Sequence, residues 1–121
     1  MERHYEFTGE TIAVYNKILH RIRATKDLPE HEVEKGELGG WIEKYENLAD
    51  NAWVSENAKV FDNAVVFGNA IVFENARIFD NAMIFGDAIV YGNAIVYGNA
   101  IIYGNARVHG KSEICENACI C

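Results

Sequence analysis

Proline occurs once in this chain, at Pro29, and threonine three times, at Thr8, Thr11 and Thr25, so everything beyond Pro29 lacks both. Nowhere is there an apolar run of about 18 residues, the length a membrane-crossing helix needs. Met1 to Glu10 carries no apolar core of a signal peptide either. The three cysteines, Cys115, Cys119 and Cys121, are odd in number and crowded at one end, too close to staple distant segments. That argues for reduced thiols and a cytoplasmic location. Their C-x3-C-x-C spacing has no fourth ligand for a structural zinc site, so no metal is expected, and no cofactor motif is present. Cations are scarce too: 11 Lys and Arg stand against 18 Asp and Glu, a net charge of −7. That disfavours a DNA or RNA polymer as partner, since such binders display a basic footprint. The shortage is uneven. From Arg3 to Lys26 five cations (Arg3, Lys17, Arg21, Arg23, Lys26) face two carboxylates (Glu6, Glu10), a local excess of +3.

What the chain does have is a period of six. From Asn51 it reads NAWVSE, NAKVFD, NAVVFG, NAIVFE, NARIFD, NAMIFG, DAIVYG, NAIVYG, NAIIYG, NARVHG, KSEICE and NACIC. A branched aliphatic residue recurs from Val54 to Ile120, with Ile42 and Leu48 extending the series upstream. Two residues before each lies a small one, such as Ala52 or Ala70. Side chains two apart share one face of a strand, so both slots point inward. The remaining Gly, Asp or Glu followed by Asn or Asp is turn chemistry, because Gly and Asn tolerate positive φ. Each hexad is therefore one strand and one corner.

Val66 with Ala70, and Val90 with Ala94, fit the pattern of an aliphatic residue followed four positions later by a small one. In this the chain resembles the left-handed hexapeptide β-helix family from Gly40 onward. The resemblance implies an all-β, left-handed parallel β-helix in which three hexads complete a coil and residues three hexads apart stack. Roughly four coils follow, with three inner ladders: Val54, Val72, Val90 and Val108; Val60, Ile78, Val96 and Ile114; Val66, Ile84, Ile102 and Ile120. Residues 1–39 are expected to form a hairpin and capping loop, and residues 40–121 the coil.

The outward slots should be polar in a soluble monomer, yet many are not. On the third wall they hold Val65 with Phe67, Met83 with Phe85 and Ile101 with Tyr103; on the first, Ile71 with Phe73 and Ile89 with Tyr91. Contiguous apolar walls imply burial, most simply in a homo-oligomer. The alternative is that the rings only stack along the coil surface. The second wall, with Lys59, Arg77 and Glu113 among Phe61, Phe79, Ile95 and Tyr97, reads as the wettest.

In the N-terminal segment, Tyr5–Thr8, then Gly9–Glu10, then Thr11–Ala24 reads as a β-hairpin with glycine at the turn. On its second strand Tyr15, Lys17, Arg21 and Arg23 share a face, opposite Ile18, His20 and Ile22. Trp41 is expected to plug the open end of the coil. Tyr15, Lys17, His20, Arg21, Arg23 and Trp41 make up the candidate ligand site, since cations can meet phosphates and aromatics can stack a base. Read otherwise, these cations are solvated and pair loosely with Glu30, Glu32, Glu34 or Glu37.

The phrase LHRIRA, then GELGGWIE, then NA-x-V repeats also resembles small hexapeptide-repeat proteins of bacteriophages and prophages. That resemblance implies a phage accessory protein in the host cytoplasm, and one task of such proteins is to sequester a cyclic nucleotide messenger of antiviral defence. The expectation is thus a non-catalytic homo-oligomer that binds a small anionic ligand, with no membrane partner. An architectural scaffold is the second reading. A hexapeptide acyltransferase is the third, weakened because no loop breaks the hexads and His109 sits in an aromatic slot.

Overall fold

The hexads fold as their period requires. In the computed structural model, which describes residues 3–120, each hexad from Asn51 onward contributes one two-residue strand, from Trp53–Val54 to Cys119–Ile120. Strands three hexads apart pair in parallel, which builds a β-solenoid of about four turns with three walls. Val54, Val72, Val90 and Val108 stack in register on the first wall. Val60, Ile78, Val96 and Ile114 do so on the second, and Val66, Ile84, Ile102 and Ile120 on the third. Upstream, Ile42 pairs with Val60 and Leu48 with Val66, so both join their ladders. The inward alanines and aliphatics from Ala52 to Ile102 are fully buried, so the prism has a dry core. Its backbone is satisfied coil to coil: the Trp53 amide donates to the Ala70 carbonyl at 3.0 Å and the Ser55 amide to Val72 at 2.8 Å.

Every corner turns through one residue at positive φ, which is glycine in some hexads and Asp or Glu in others. Left-handed backbone costs an L-residue roughly 1–2 kcal/mol, yet Asp50, Glu56, Asp62, Glu74, Asp80 and Glu116 adopt it. Four of these carboxylates offset the cost by accepting the corner amide of the next coil. Asp50 takes Gly68, Glu74 takes Gly92 and Asp80 takes Gly98, each at 3.0 Å, while Asp62 takes Asp80 at 3.3 Å. Part of the acidity of the chain is therefore corner chemistry.

Residues 3–42 add β1 (Tyr5–Val14), β2 (Lys17–Ala24) and β3 (Leu38–Ile42) to the edge of the second wall, which becomes a seven-stranded sheet. β1 and β2 form the expected hairpin, but its turn lies at Tyr15–Asn16 rather than at Gly9–Glu10. Both turn residues have positive φ, 48° and 64°, as a tight two-residue hairpin loop demands. Gly9, at φ 102°, instead sits where the β1–β2 register slips between Phe7 and Thr11. The core runs unbroken from Tyr5, Ile22, Leu28 and Val33 into the coil, and the division expected at residue 39 falls within β3.

Trp41 is not the plug. It lies on the outer face of the second wall, where Leu19 and Phe61 bury it. The tryptophan packed into the junction with the coil is Trp53, which is fully buried, near His4 and against Gly39. A Cβ on Gly39 would stand 2.7 Å from Ile22, Trp53 and the Val54 carbonyl, so only glycine lets the three segments meet. Trp53 Nε1 has no hydrogen-bond partner among the described residues.

Candidate ligand-binding face

The far half of the hairpin swings over the second wall and sets where its side chains go. Leu19, on the cationic face of β2, is buried against Trp41 and Phe61, with Ile12, Val14 and Phe79 packed around them. Ile18, on the opposite and mostly apolar face, is 53% exposed. The upper second wall is thus not the wettest surface: Phe61 is 1% exposed. The alternation of β2 was legible, but the surface that would cover each face was not, because Phe61 and Phe79 belong to the coil, far downstream in the chain.

This packing separates the six residues of the candidate site. Tyr15 stands at the hairpin tip, 66% exposed, with its ring 6.1 Å from Phe61 and its hydroxyl accepting from Arg77 Nη1 at 3.3 Å. Lys17 Nζ lies 3.2 Å from Asp62 Oδ1, and the bond to that carboxylate raises the lysine pKa. Arg21 donates to the Gly39 carbonyl at 3.2 Å and holds its guanidinium 5.4 Å from the centre of the Trp41 ring. Arg23 donates from Nε to Glu6 at 3.0 Å. His20 is on the other face, stacked on Phe7 at 4.3 Å, and Phe7 in turn stacks on Tyr45 at 4.2 Å. Trp41, 8% exposed, has no open ring face for a base. The six do not converge, and the carboxylates that pair with the strand cations are Asp62 and Glu6 rather than Glu30, Glu32, Glu34 or Glu37.

A different cationic pair does converge beneath Trp41. Lys59 and Arg77 occupy consecutive rungs of the same outward row, in register with Trp41 above them. Like charges directly opposite on a sheet repel. Among the described residues only Lys17–Asp62 and Arg23–Glu6 form ion pairs, so neither Lys59 nor Arg77 has a carboxylate. Lys59 donates to the Asn57 carbonyl at 3.0 Å, and its pKa is lowered, first by burial and then by Arg77. Tyr15 overhangs the pair through Arg77. The signal was present in the hexad pattern: positions 59 and 77 are three hexads apart, so their stacking followed from the period.

The other walls carry stacked rings. Phe67, Phe85 and Tyr103 stack at 4.9 and 5.5 Å, with Val65, Met83 and Ile101 in register beside them. Phe73, Tyr91 and His109 stack at 5.0 and 5.3 Å, beside Ile71 and Ile89. His109 thus fills the aromatic slot, as the hexads indicated. Cys115 and Cys119 are free thiols, and Cys121 lies outside the described residues.

Residues 76–92 and 90–102 match the YdcK beta solenoid repeat. The match falls on successive coils, where parallel strands and inward aliphatics repeat without interruption, and it agrees with the solenoid described above. No curated protein matches the chain.

Proposed function

We propose that this protein is a non-catalytic, homo-oligomeric binding protein that sequesters a small anionic ligand, a nucleotide second messenger being the leading class and antiviral defence the leading setting. The observation that carries this reading is the Lys59–Arg77 pair: two cations one rung apart, with no carboxylate partner among the described residues, below an exposed tyrosine. An anion placed there would relieve their repulsion through charge-assisted hydrogen bonds, and Tyr15 offers a ring for a base. The apolar first and third walls support self-association.

A calorimetric screen of the whole protein against cyclic di- and trinucleotides, cyclic ADP-ribose isomers and acyl-CoA tests this. A nucleotide should bind, and Lys59→Ala or Arg77→Ala should each weaken it about tenfold or more, as expected for a hydrogen bond to a charged group. Binding unchanged in both variants would sink the site assignment. A hit with acyl-CoA alone would point to acyl transfer, and silence across the panel to an architectural role.

A further inference from the structure

The first wall is charged at its two ends and apolar between them. Its outward row runs from Trp53 through Ile71 and Ile89 to Arg107, each in register with the next. At the upper end the Pro29–His31 turn lies over the wall, tied down by His31 Nε2 at 2.8 Å from the Asn51 carbonyl. Between turn and wall lies an open groove of about 420 Å³ with Ile71 and Ile89 as its floor and Glu30, Glu32 and Asp87 on its rim. At the lower end Arg107 is exposed. Among the described residues none of these four charges is in an ion pair.

We infer that this wall is the contact between two copies of the chain, docked face to face with their coils antiparallel. The inference rests on the homo-oligomer proposed above and assigns its surface. Charge selects the orientation. With the coils parallel, Arg107 would meet Arg107 of the second copy, and each carboxylate rim would face its own image, which opposes association. Inverting one copy about a two-fold axis between the Ile71 and Ile89 rungs reverses this. Arg107 then meets the Glu30 and Glu32 side of the second copy at both ends, Ile71 lies opposite Ile89, and Phe73 lies opposite Tyr91. One patch serves both copies, as an isologous interface requires. From the Trp53 rung to the Arg107 rung is three strand spacings, about 14 Å. So short a face falls below the roughly 800 Å² per partner that a stable interface buries, and the dimer should be weak and dissociate on dilution.

Sedimentation velocity over a concentration series, with far-UV circular dichroism as the folding control, reads this directly. Arg107→Glu alone, and Glu30→Arg with Glu32→Arg alone, each bring like charges together and should weaken association at least tenfold. Mixing the two variants restores opposite charges at both ends and should recover the dimer. Association unaffected by either variant, or a mixture that stays monomeric, overturns the assignment. If association then falls with Phe85→Glu on the third wall, the oligomer stands and only its surface is wrong. Wild-type protein that is monomeric throughout the series overturns both.

Discussion

In the coil, Val96 pairs with Ile78 above it and Ile114 below it, each three hexads away. In the N-terminal segment, His4 reaches Ala52, Tyr5 donates to the Leu48 carbonyl, and Tyr15 accepts from Arg77 in the middle of the second wall. The coil repeats one contact many times, so its loss at one rung leaves the neighbouring rungs in place. The N-terminal segment is held by contacts that occur once. Stability per residue is thus spread evenly in the coil and concentrated at a few side chains at the junction.

The largest test of that contrast is Trp53→Ala. Trp53 is fully buried among residues of both regions, and truncating a buried tryptophan costs about 3–5 kcal/mol. Ile78→Val, one rung in the coil, should cost about 0.5–1.5 kcal/mol. Urea titration measures both. Because Trp53 Nε1 has no partner among the described residues, Trp53→Phe gives up no hydrogen bond and should fall well below the alanine variant. Equal losses for Trp53→Ala and Ile78→Val would erase the distinction between the regions.

The same contrast decides what could be read in advance. The period of six placed every strand from Trp53 to Ile120, the three inner ladders and the stacked rings, because each residue's neighbours were set by an offset of three hexads. It did not place Trp41 or the β1–β2 turn. Tyr15–Asn16 lacks the glycine that marks a hairpin, and Gly9 had the stronger local signal although it sits at a register slip. The ion pairs of β2 went to Asp62 and Glu6 because the hairpin folds across the second wall, a tertiary fact with no local signature. Lys59 and Arg77 were legible as neighbours but not as an unpaired site, since that depends on where every carboxylate ends up.

A smaller effect should appear on acidification. His4 is buried at the junction, and its Nε2 donates to the Ala52 carbonyl at 2.7 Å. Burial lowers its pKa first; Lys26 and His31 also lower it, against the Ala52 bond and Asp50, which raise it. A histidine that is harder to protonate when folded contributes stability that is present above its ordinary pKa of 6.5. That stability is lost as pH falls from there through the depressed folded value. Melting temperature should therefore drop as pH is lowered from 6.5, and His4→Gln should flatten the drop. A fall of the same size in the variant would place the acid sensitivity in the coil carboxylates instead.

The smallest effect lies at a corner of the coil, where two contributions oppose each other. Asp80 has φ 59° and accepts the Gly98 amide at 3.0 Å. Asp80→Ala keeps an L-residue in left-handed backbone and removes the acceptor, a net loss of about 1 kcal/mol for an ordinary hydrogen bond. Asp80→Gly removes the acceptor too but relieves the backbone, worth roughly 1–2 kcal/mol, so it should lie near the wild type or slightly above it. The gap between the two variants in urea titration isolates the conformational contribution. Were alanine and glycine equally destabilising, the carboxylate bond alone would matter at this corner, and the alternation of glycine and acid along the corners would need another cause.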